Sequence, residues 1–138
     1  MQTDQRLREI NVGSWEGYTY DQVLGELDED LRRAYLAGED VRRSPTGETP
    51  SEVGVRAAAA LLELAACADD GSTVVANTHG VAARTGICEL LGYPHPMWHL
   101  LGSMDNCCWS IVEWHRGGGF WRLASYNNAA PADPESIS

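Results

Sequence analysis

The sequence predicts an α/β fold with an antiparallel edge, and three segments support this prediction. The β-branched run 73–78 is typical of a buried parallel strand, and segments of helical periodicity lie on both sides of it. Two strand-like runs, 107–114 and 120–126, are separated by three consecutive glycines, which predicts a hairpin. Helix, strand, helix and hairpin in this order indicate helices packed against a sheet.

The first predicted helix covers residues 21–37 and follows a loop-like N-terminal segment. Its apolar side chains recur at three- and four-residue spacing and should form one stripe: Val23, Leu24, Leu27, Leu31 and Tyr35. Gly38 is expected to end this helix, and the acidic residues between 26 and 30 are expected to form a solvated helix face. A surface loop should follow over 39–47.

The second predicted helix has the clearest start signal in the chain. Thr49 suits the N-cap, Pro50 suits the first helical position, and Glu52 completes a capping box. A third helix is predicted over 81–91 from its apolar spacing. Two prolines then predict irregular backbone over 93–97.

Composition and charge fit one acidic globular domain. The 138 residues are 43% hydrophobic and carry a formal charge of −10, with an isoelectric point near 4.6. We expect a single domain over 1–128 and a disordered tail over 129–138. Because an acidic surface repels nucleic acid and anionic membranes, neither is expected as a partner, whereas a local positive pocket can still bind a phosphorylated small molecule.

The sequence gives no sign of a membrane or secreted location. No apolar run approaches the roughly 18 residues of a membrane span, and the first eleven residues lack a signal-peptide core. The four cysteines are too irregularly spaced for a disulfide scaffold. We therefore expect reduced thiols and a cytoplasmic protein.

The junction 75–81 is the first candidate for a functional site. A parallel strand that ends in a glycine turn and continues into a helix places that turn at the carboxyl edge of the sheet, where α/β folds bind ligands. The first amides of the helix attract anions, His79 can donate a hydrogen bond to a phosphate, and Gly80 lets the backbone approach closely. The same residues also fit a turn histidine that caps the strand.

Glu9 is the second candidate, in the segment LREINVGSWEG. It is a carboxylate in a segment that also holds one tryptophan and two glycines. Taken alone, such a glutamate is most often a solvated surface group, and the residue by itself favours that interpretation.

Four segments form an ordered series along the chain. They are LREINVGSWEG, GETPSEVGVR, VVANTHGVAART and, at the end, MDNCCWSIVEW with FWRLASYN. In this order they resemble the motifs of the histidine phosphatase (phosphoglycerate-mutase-like) superfamily, over residues 7 to about 128. The ending resembles actinobacterial members. The residues that match the two middle motifs are Gly47, Glu48, Thr49, Arg56, His79, Gly80 and Arg84.

The resemblance implies a fold and a chemistry. The fold would be a three-layer α/β/α sandwich with a C-terminal hairpin. The reaction would be hydrolysis of a small phosphate ester, with phosphomutase action less expected, through a phosphohistidine. Glu9 would give a proton to the leaving oxygen and later activate water, while His79 with Gly80 would contact the phosphoryl oxygens. No metal or organic cofactor is implied.

The chain departs from the family's pattern in its N-terminal part. The arginine–histidine–glycine motif that supplies the family's nucleophile does not occur in the sequence, and the first strand that accompanies it is not found either. We therefore expect this chain alone to be inactive or very weak. Because a lost central strand exposes unpaired backbone, we expect the lone chain to be marginal, rearranged, or paired with a second copy or a complementing chain. A reading frame that starts at an internal methionine and a genuine loss both fit this pattern.

Two function classes remain open: a phosphatase represented by an incomplete domain, and a non-catalytic binding or assembly protein that retains the fold. Retention of both Glu9 and His79 favours the first. His95 and His99 have the spacing of a helical metal pair, but the adjacent prolines argue against a metal site. Four tryptophans are expected to lie in the core rather than to form a carbohydrate platform: Trp98, Trp109, Trp114 and Trp121.

Overall fold

The computed structural model describes residues 2–131, which fold into α-helices, a β-hairpin and short 3-10 turns. The helices are α1 (Tyr20–Glu26), α2 (Glu29–Leu36), α3 (Pro50–Ala66) and α4 (Gly80–Leu90). Two antiparallel strands form the hairpin, β1 (Trp109–His115) and β2 (Phe120–Asn128). The 3-10 turns are Gln5–Leu7, Gly13–Trp15 and His95–Leu100. The predicted α/β class, with its C-terminal hairpin, is confirmed.

Helices α3 and α4 pack against each other and form the main core. Helix α3 begins as predicted, because the Thr49 and Glu52 side chains each accept a hydrogen bond from the other residue's amide. Small residues bring the two helices close together, and a Cβ added to Gly86 would lie 2.8 Å from the Cβ of Ala57. The buried apolar side chains of the pair are Val53, Ala57, Ala58, Ala60, Ala82, Ile87 and Cys88.

A smaller apolar cluster of Trp15, Val23 and Leu27 joins the N-terminal segment to α1. The prediction of one helix over 21–37 is wrong, because the chain is extended at Leu27, where ψ is 135°. The side chain of Asp28 accepts a hydrogen bond from the Leu31 amide and starts α2. Aspartate stabilises a helix start more than a helix interior, so Asp28 acts as a cap and not as part of a continuous solvated face.

The segment 73–78, predicted as a buried parallel strand, is not paired in a sheet. Across residues 2–131 the strand pairing is that of β1 with β2. Val74 is 46% exposed and Val75 is 81% exposed. A strand needs neighbours that bond its amides and cover its side chains, and the described part of the chain brings none beside this segment. The C-terminal end of the segment is bound to the N-terminal region, because the Thr78 hydroxyl donates a hydrogen bond to the Leu7 carbonyl at 2.7 Å.

The main packing partner of each hairpin strand is the other strand. Trp114 lies opposite Trp121, with ring centroids 5.5 Å apart. The expectation that the hairpin tryptophans are core is wrong for Trp109 and Trp114, which are 46% and 49% exposed, because the extensive packing of β1 within residues 2–131 is with β2. Trp98, in contrast, is 5% exposed, packed in its 3-10 turn beside α3.

Most of the predicted disordered tail, residues 132–138, lies outside the described residues. Among the helices between residues 2 and 131, none has the length and apolar character needed to cross a membrane. The same part of the chain contains no group of three or more histidine, cysteine or acidic residues arranged to hold a metal ion.

Candidate functional site at the start of helix α4

His79 is the N-cap residue of α4, and Gly80 is the first residue of that helix. The His79 backbone is extended, its imidazole is exposed, and its side chain makes no capping hydrogen bond. Within the described range the Gly80 amide likewise has no acceptor. The first amides of a helix point along its axis and form the positive end of its dipole. The junction therefore presents an accessible imidazole beside a helix N-terminus.

The carboxylate of Glu9 binds the same helix end. Its Oε2 accepts a hydrogen bond from the Val81 amide at 3.2 Å, and its Oε1 accepts from the Ala82 amide at 3.1 Å. Oε1 also accepts from the Ile10 amide at 2.9 Å. A negative group is stabilised at this position by the helix dipole and by charge-assisted hydrogen bonds. Glu9 is therefore a half-buried, fixed carboxylate and not a freely solvated one.

This arrangement differs in one respect from the sequence prediction. The first-turn amides of α4 were expected to face a bound anion, and in the structure two of them, at Val81 and Ala82, bond the protein's own Glu9. The structure thus brings Glu9 and His79 to one helix end, and it leaves the Gly80 amide and the His79 imidazole open to an incoming group.

Arg56 of α3 holds the backbone of the segment that carries Glu9. Its Nη1 donates to the carbonyls of Arg6 and Arg8 at 2.7 and 2.8 Å, and its Nη2 donates to the carbonyl of Glu9 at 3.1 Å. The same guanidinium makes two hydrogen bonds with the Glu48 carboxylate, at 2.8 and 2.9 Å. Because one rigid fork bonds three carbonyls and a carboxylate, it fixes the course of residues 6–9.

Glu48 bonds the same segment further along the chain, at Asn11, and we call Arg56 and Glu48 together the clamp. Its amide donates to the Asn11 carbonyl, and its Oε2 accepts from the Asn11 amide, each at 2.8 Å. The hydrogen bonds from Arg56 lower the pKa of the Glu48 carboxyl below its ordinary value, partial burial opposes this shift, and the Asn11 amide adds to it. Glu48 is therefore an anion at neutral pH and keeps Arg56 in place.

The next residues of the segment lie directly against the loop before α3. Gly13 has a φ of +55°, and a Cβ added there would clash with the Thr46 hydroxyl oxygen. The Ser14 amide donates to the hydroxyls of Ser44 and Thr46, at 3.1 and 3.0 Å. Only glycine combines this backbone conformation with this close approach. Both sides of Glu9 are thus fixed to the α3 region.

Sequence reasoning named Glu48 and Arg56 as parts of a motif but assigned them no function. Glu48 and Arg56 are eight positions apart, beyond the three- and four-residue spacing at which helical side chains pair, so local spacing does not indicate their ion pair. The carbonyls that Arg56 bonds lie 47 to 50 positions away along the chain, and no local pattern predicts such contacts. The same is true of the bond between Glu9 and α4.

Comparisons with known proteins give a consistent result. The profile of the histidine phosphatase superfamily (branch 1) matches residues 1–129. The chain is 33% identical over 152 aligned residues to a glucosyl-3-phosphoglycerate phosphatase of Mycobacterium tuberculosis, covering 99% of the chain and 66% of that protein. It is 34% identical over 143 residues to a probable phosphoglycerate mutase of Yersinia pestis, covering 99% of the chain and 64% of that protein. The chain therefore spans about two thirds of the length of these relatives.

Solved structures agree with the sequence comparison. The complex of mycobacterial glucosyl-3-phosphoglycerate phosphatase with inorganic phosphate superposes with a TM-score of 0.77 at 29% identity, over 91% of the chain and 64% of that structure. A protein described as mycobacterial hydrolase 1 gives a TM-score of 0.78 at 29% identity, over 92% of the chain and 63% of that structure. Most of the backbone, and not one motif alone, is shared with these proteins.

Proposed function

The chain belongs to the histidine phosphatase superfamily (branch 1), and on this premise we propose that it serves the hydrolysis of a small phosphate ester through a phosphohistidine. The sequence contains no arginine–histidine–glycine motif, so the proposal assigns the nucleophilic histidine to a segment that these 138 residues do not include. This chain would supply the proton donor and part of the phosphate-binding wall. No metal or organic cofactor takes part in the proposed reaction.

The observation that carries the proposal is the bond between Glu9 and the first turn of α4. Glu9 would enter the reaction in its protonated form and give that proton to the leaving oxygen, while the phosphorus–oxygen bond of the ester breaks and the phosphoryl group passes to the histidine nitrogen. The resulting carboxylate is stabilised by the amides that already hold it. In the second step Glu9 would accept a proton from the water that attacks the phosphohistidine, which regenerates the acid and releases phosphate.

His79 would contact the phosphoryl oxygens during both steps. As the exposed N-cap of α4, it stands at the positive end of the helix, and the Gly80 amide beside it offers a second donor. Donors fixed before the reaction stabilise charge that develops on the phosphoryl group without reorganising. Glu9, which is fixed by hydrogen bonds, thus fits the role of proton donor, and the exposed His79 fits the role of a phosphoryl contact.

Hydrolysis is favoured over phosphomutase action. The relatives include a phosphatase and a probable mutase, and the superposed complex holds inorganic phosphate, which is a product of hydrolysis. The substrate class we propose is a small phosphate monoester. A second copy of these 138 residues would lack the same motif, so we also propose that a complementing segment carrying the nucleophilic histidine completes the site.

A second candidate is a non-catalytic binding or assembly protein that keeps the fold. The exposure of Val75, Trp109 and Trp114 favours it, because apolar side chains gathered on segments of strand character are typical of an association surface. This alternative predicts partner binding that does not depend on Glu9 or His79.

The test is hydrolysis of p-nitrophenyl phosphate by the purified chain, first alone and then mixed with a segment that carries the arginine–histidine–glycine motif. We expect no turnover from the folded chain alone and measurable turnover from the mixture. In the mixture His79→Ala should lower the rate about 100-fold, while His115→Ala, a histidine of the hairpin, should leave it nearly unchanged.

Two results would contradict the proposal. Turnover by the chain alone that is lost in His79→Ala would show that another group acts as nucleophile. No turnover by a mixture shown to form a folded complex, together with tight binding of the segment, would support the assembly protein instead.

A further inference from the structure

A second cluster of positive side chains includes neither Glu9 nor His79. It lines a cleft between the loop after α2, the middle of α4 and the 3-10 turn His95–Leu100. The cleft holds about 40 Å³, roughly three times the space that one water molecule requires, so it suits a group of a few heavy atoms. Its polar lining includes Asp40, Arg43, Arg84, His95 and His99.

The two arginines of this cleft differ from most arginines of the chain. All ten basic residues are arginines, and six of them pair with a carboxylate in the structure, the six being Arg6, Arg33, Arg42, Arg56, Arg116 and Arg122. Arg43 and Arg84 are both half-buried, and among residues 2–131 neither has a carboxylate partner. In a chain with a net charge of −10, two unpaired cations side by side indicate room for an external anion.

The surroundings of Arg43 strengthen this interpretation. Its guanidinium lies 4.4 Å from the Tyr35 ring centroid and donates to the Val41 carbonyl at 3.2 Å, which leaves most of its donors unused. Burial lowers the pKa of Arg43 and the positive charge of Arg84 adds to this shift, whereas Tyr35 and the nearby carboxylate of Asp40 oppose it. The guanidinium remains charged at neutral pH, so the two arginines repel each other until an anion lies between them.

The negative groups nearest the cleft are already engaged. Both carboxylate oxygens of Asp40 accept hydrogen bonds from Ser51, one from its amide and one from its hydroxyl. Glu89 lies 3.7 Å from His95. Neither carboxylate is bonded to Arg43 or Arg84. Within residues 2–131, Arg43 and Arg84 therefore keep guanidinium donors that no carboxylate accepts, although Asp40 lies in the same lining.

We propose that this cleft binds a compact oxyanion dianion of the phosphate class, held by Arg43 and Arg84 with His99 or His95 as further donors. Guanidinium forks match the oxygens of a tetrahedral dianion, and two of them balance its charge. The site shares no lining residue with Glu9, His79 and Gly80, so it does not depend on the proposed catalytic function.

The test is titration of the full chain with inorganic phosphate at constant ionic strength, followed by the indole N–H resonance of Trp98 and by calorimetry. Trp98 lines the cleft, and its indole N–H donates to the Tyr93 carbonyl at 2.8 Å, so its resonance reports on the cleft itself. We expect that resonance to shift on phosphate addition in the wild type. Arg84→Met should weaken binding about tenfold or more, and Arg33→Met, an exposed arginine on α2, should not.

The control for the other site is the double variant Glu9→Gln and His79→Ala, in which phosphate should still shift Trp98 with affinity within about twofold of wild type. Loss of the shift in this double variant, with retention in Arg84→Met, would overturn the proposal. A Trp98 resonance that does not shift when phosphate is added to the wild type would also overturn the proposal. This measurement does not depend on the folding of any variant. Acetate that binds as tightly as phosphate would contradict the preference for a dianion.

Discussion

Single residues in this protein act through bonds to distant parts of the chain. Glu9 reaches amides 72 and 73 positions away, and Arg56 reaches carbonyls 47 to 50 positions away. The sequence could single out Glu9 and His79 because their motifs resemble a family, but residue chemistry alone favoured a solvated glutamate. What fixes Glu9 in place comes from α3 and α4, and those contacts exist only once the two helices have packed.

Arg56→Met should destabilise the protein by about 2–3 kcal/mol, because three carbonyls and the Glu48 carboxylate lose their donor together. Arg33→Met is the matched control, since Arg33 is 77% exposed and pairs with Asp30 at the surface. That variant should change the free energy of unfolding by less than about 0.5 kcal/mol. Urea denaturation measures both values. Equal losses in the two variants would show that Arg56 is an ordinary surface arginine.

Acid should weaken the same clamp. Because the pKa of Glu48 is lowered from its ordinary value of 4.5, its contribution to stability is complete above that value and is lost as the pH falls through the folded-state pKa. The free energy of unfolding should therefore fall with pH below about 4.5, and Glu48→Gln should make this fall shallower. Urea midpoints measured from neutral pH into this acid range test the difference in slope. An unchanged slope in Glu48→Gln would assign the acid sensitivity to other carboxylates.

Among the structural elements, the α3–α4 pair is the part that the sequence predicts best. The capping box at Thr49, the proline after it and the apolar stripe define α3, and all of these signals are local. The break between α1 and α2 was missed because Asp28 interrupts the helix without interrupting the apolar spacing. The segment 73–78 has the composition of a strand, but a strand forms only where a neighbour bonds it. Composition cannot say whether that neighbour is present.

Glycines in two helices should respond in opposite directions to alanine. Gly86→Ala should cost about 1–3 kcal/mol, because its Cβ would meet the Ala57 Cβ at 2.8 Å in the tight α3–α4 contact. Gly25→Ala in α1 has nothing within 4 Å and should stabilise the protein by about 0.5–1 kcal/mol. Thermal or urea unfolding of both variants gives the comparison. A Gly86→Ala protein as stable as the wild type would mean that α3 and α4 can move apart at little cost.

At the scale of the whole molecule, the described residues expose large apolar side chains on segments of strand character. Val75, Trp109 and Trp114 are all more than two fifths exposed, and they lie on segments of strand character. The chain spans 66% of the length of its mycobacterial relative. The family resemblance could be recognised from the sequence over most of the chain. Whether segment 73–78 pairs in a sheet could not, because strand pairing depends on a neighbouring strand and not on the composition of one segment.

We expect the purified chain to self-associate as its concentration rises, through the unpaired backbone and exposed side chains of 73–78. Val75→Lys should reduce this association, because a lysine on an open edge opposes strand pairing and Val75 is 81% exposed. Leu36→Lys, at a 58% exposed position on α2, is the control and should have little effect. Sedimentation velocity distinguishes the cases. A wild type that stays monomeric at all concentrations would contradict this expectation.

The central claim, that Glu9 is the proton donor to a leaving oxygen, is tested most directly by leaving-group dependence in the chain mixed with the nucleophile-bearing segment. Glu9→Gln keeps an oxygen that can accept from the α4 amides but cannot donate a proton as an acid does. Glycerol phosphate has a poor leaving group that needs this proton, and p-nitrophenyl phosphate has a good one that does not. We predict a loss of about 100-fold or more with glycerol phosphate and a much smaller loss with p-nitrophenyl phosphate, with Glu26→Gln unaffected. Equal losses on the two substrates would contradict the claim.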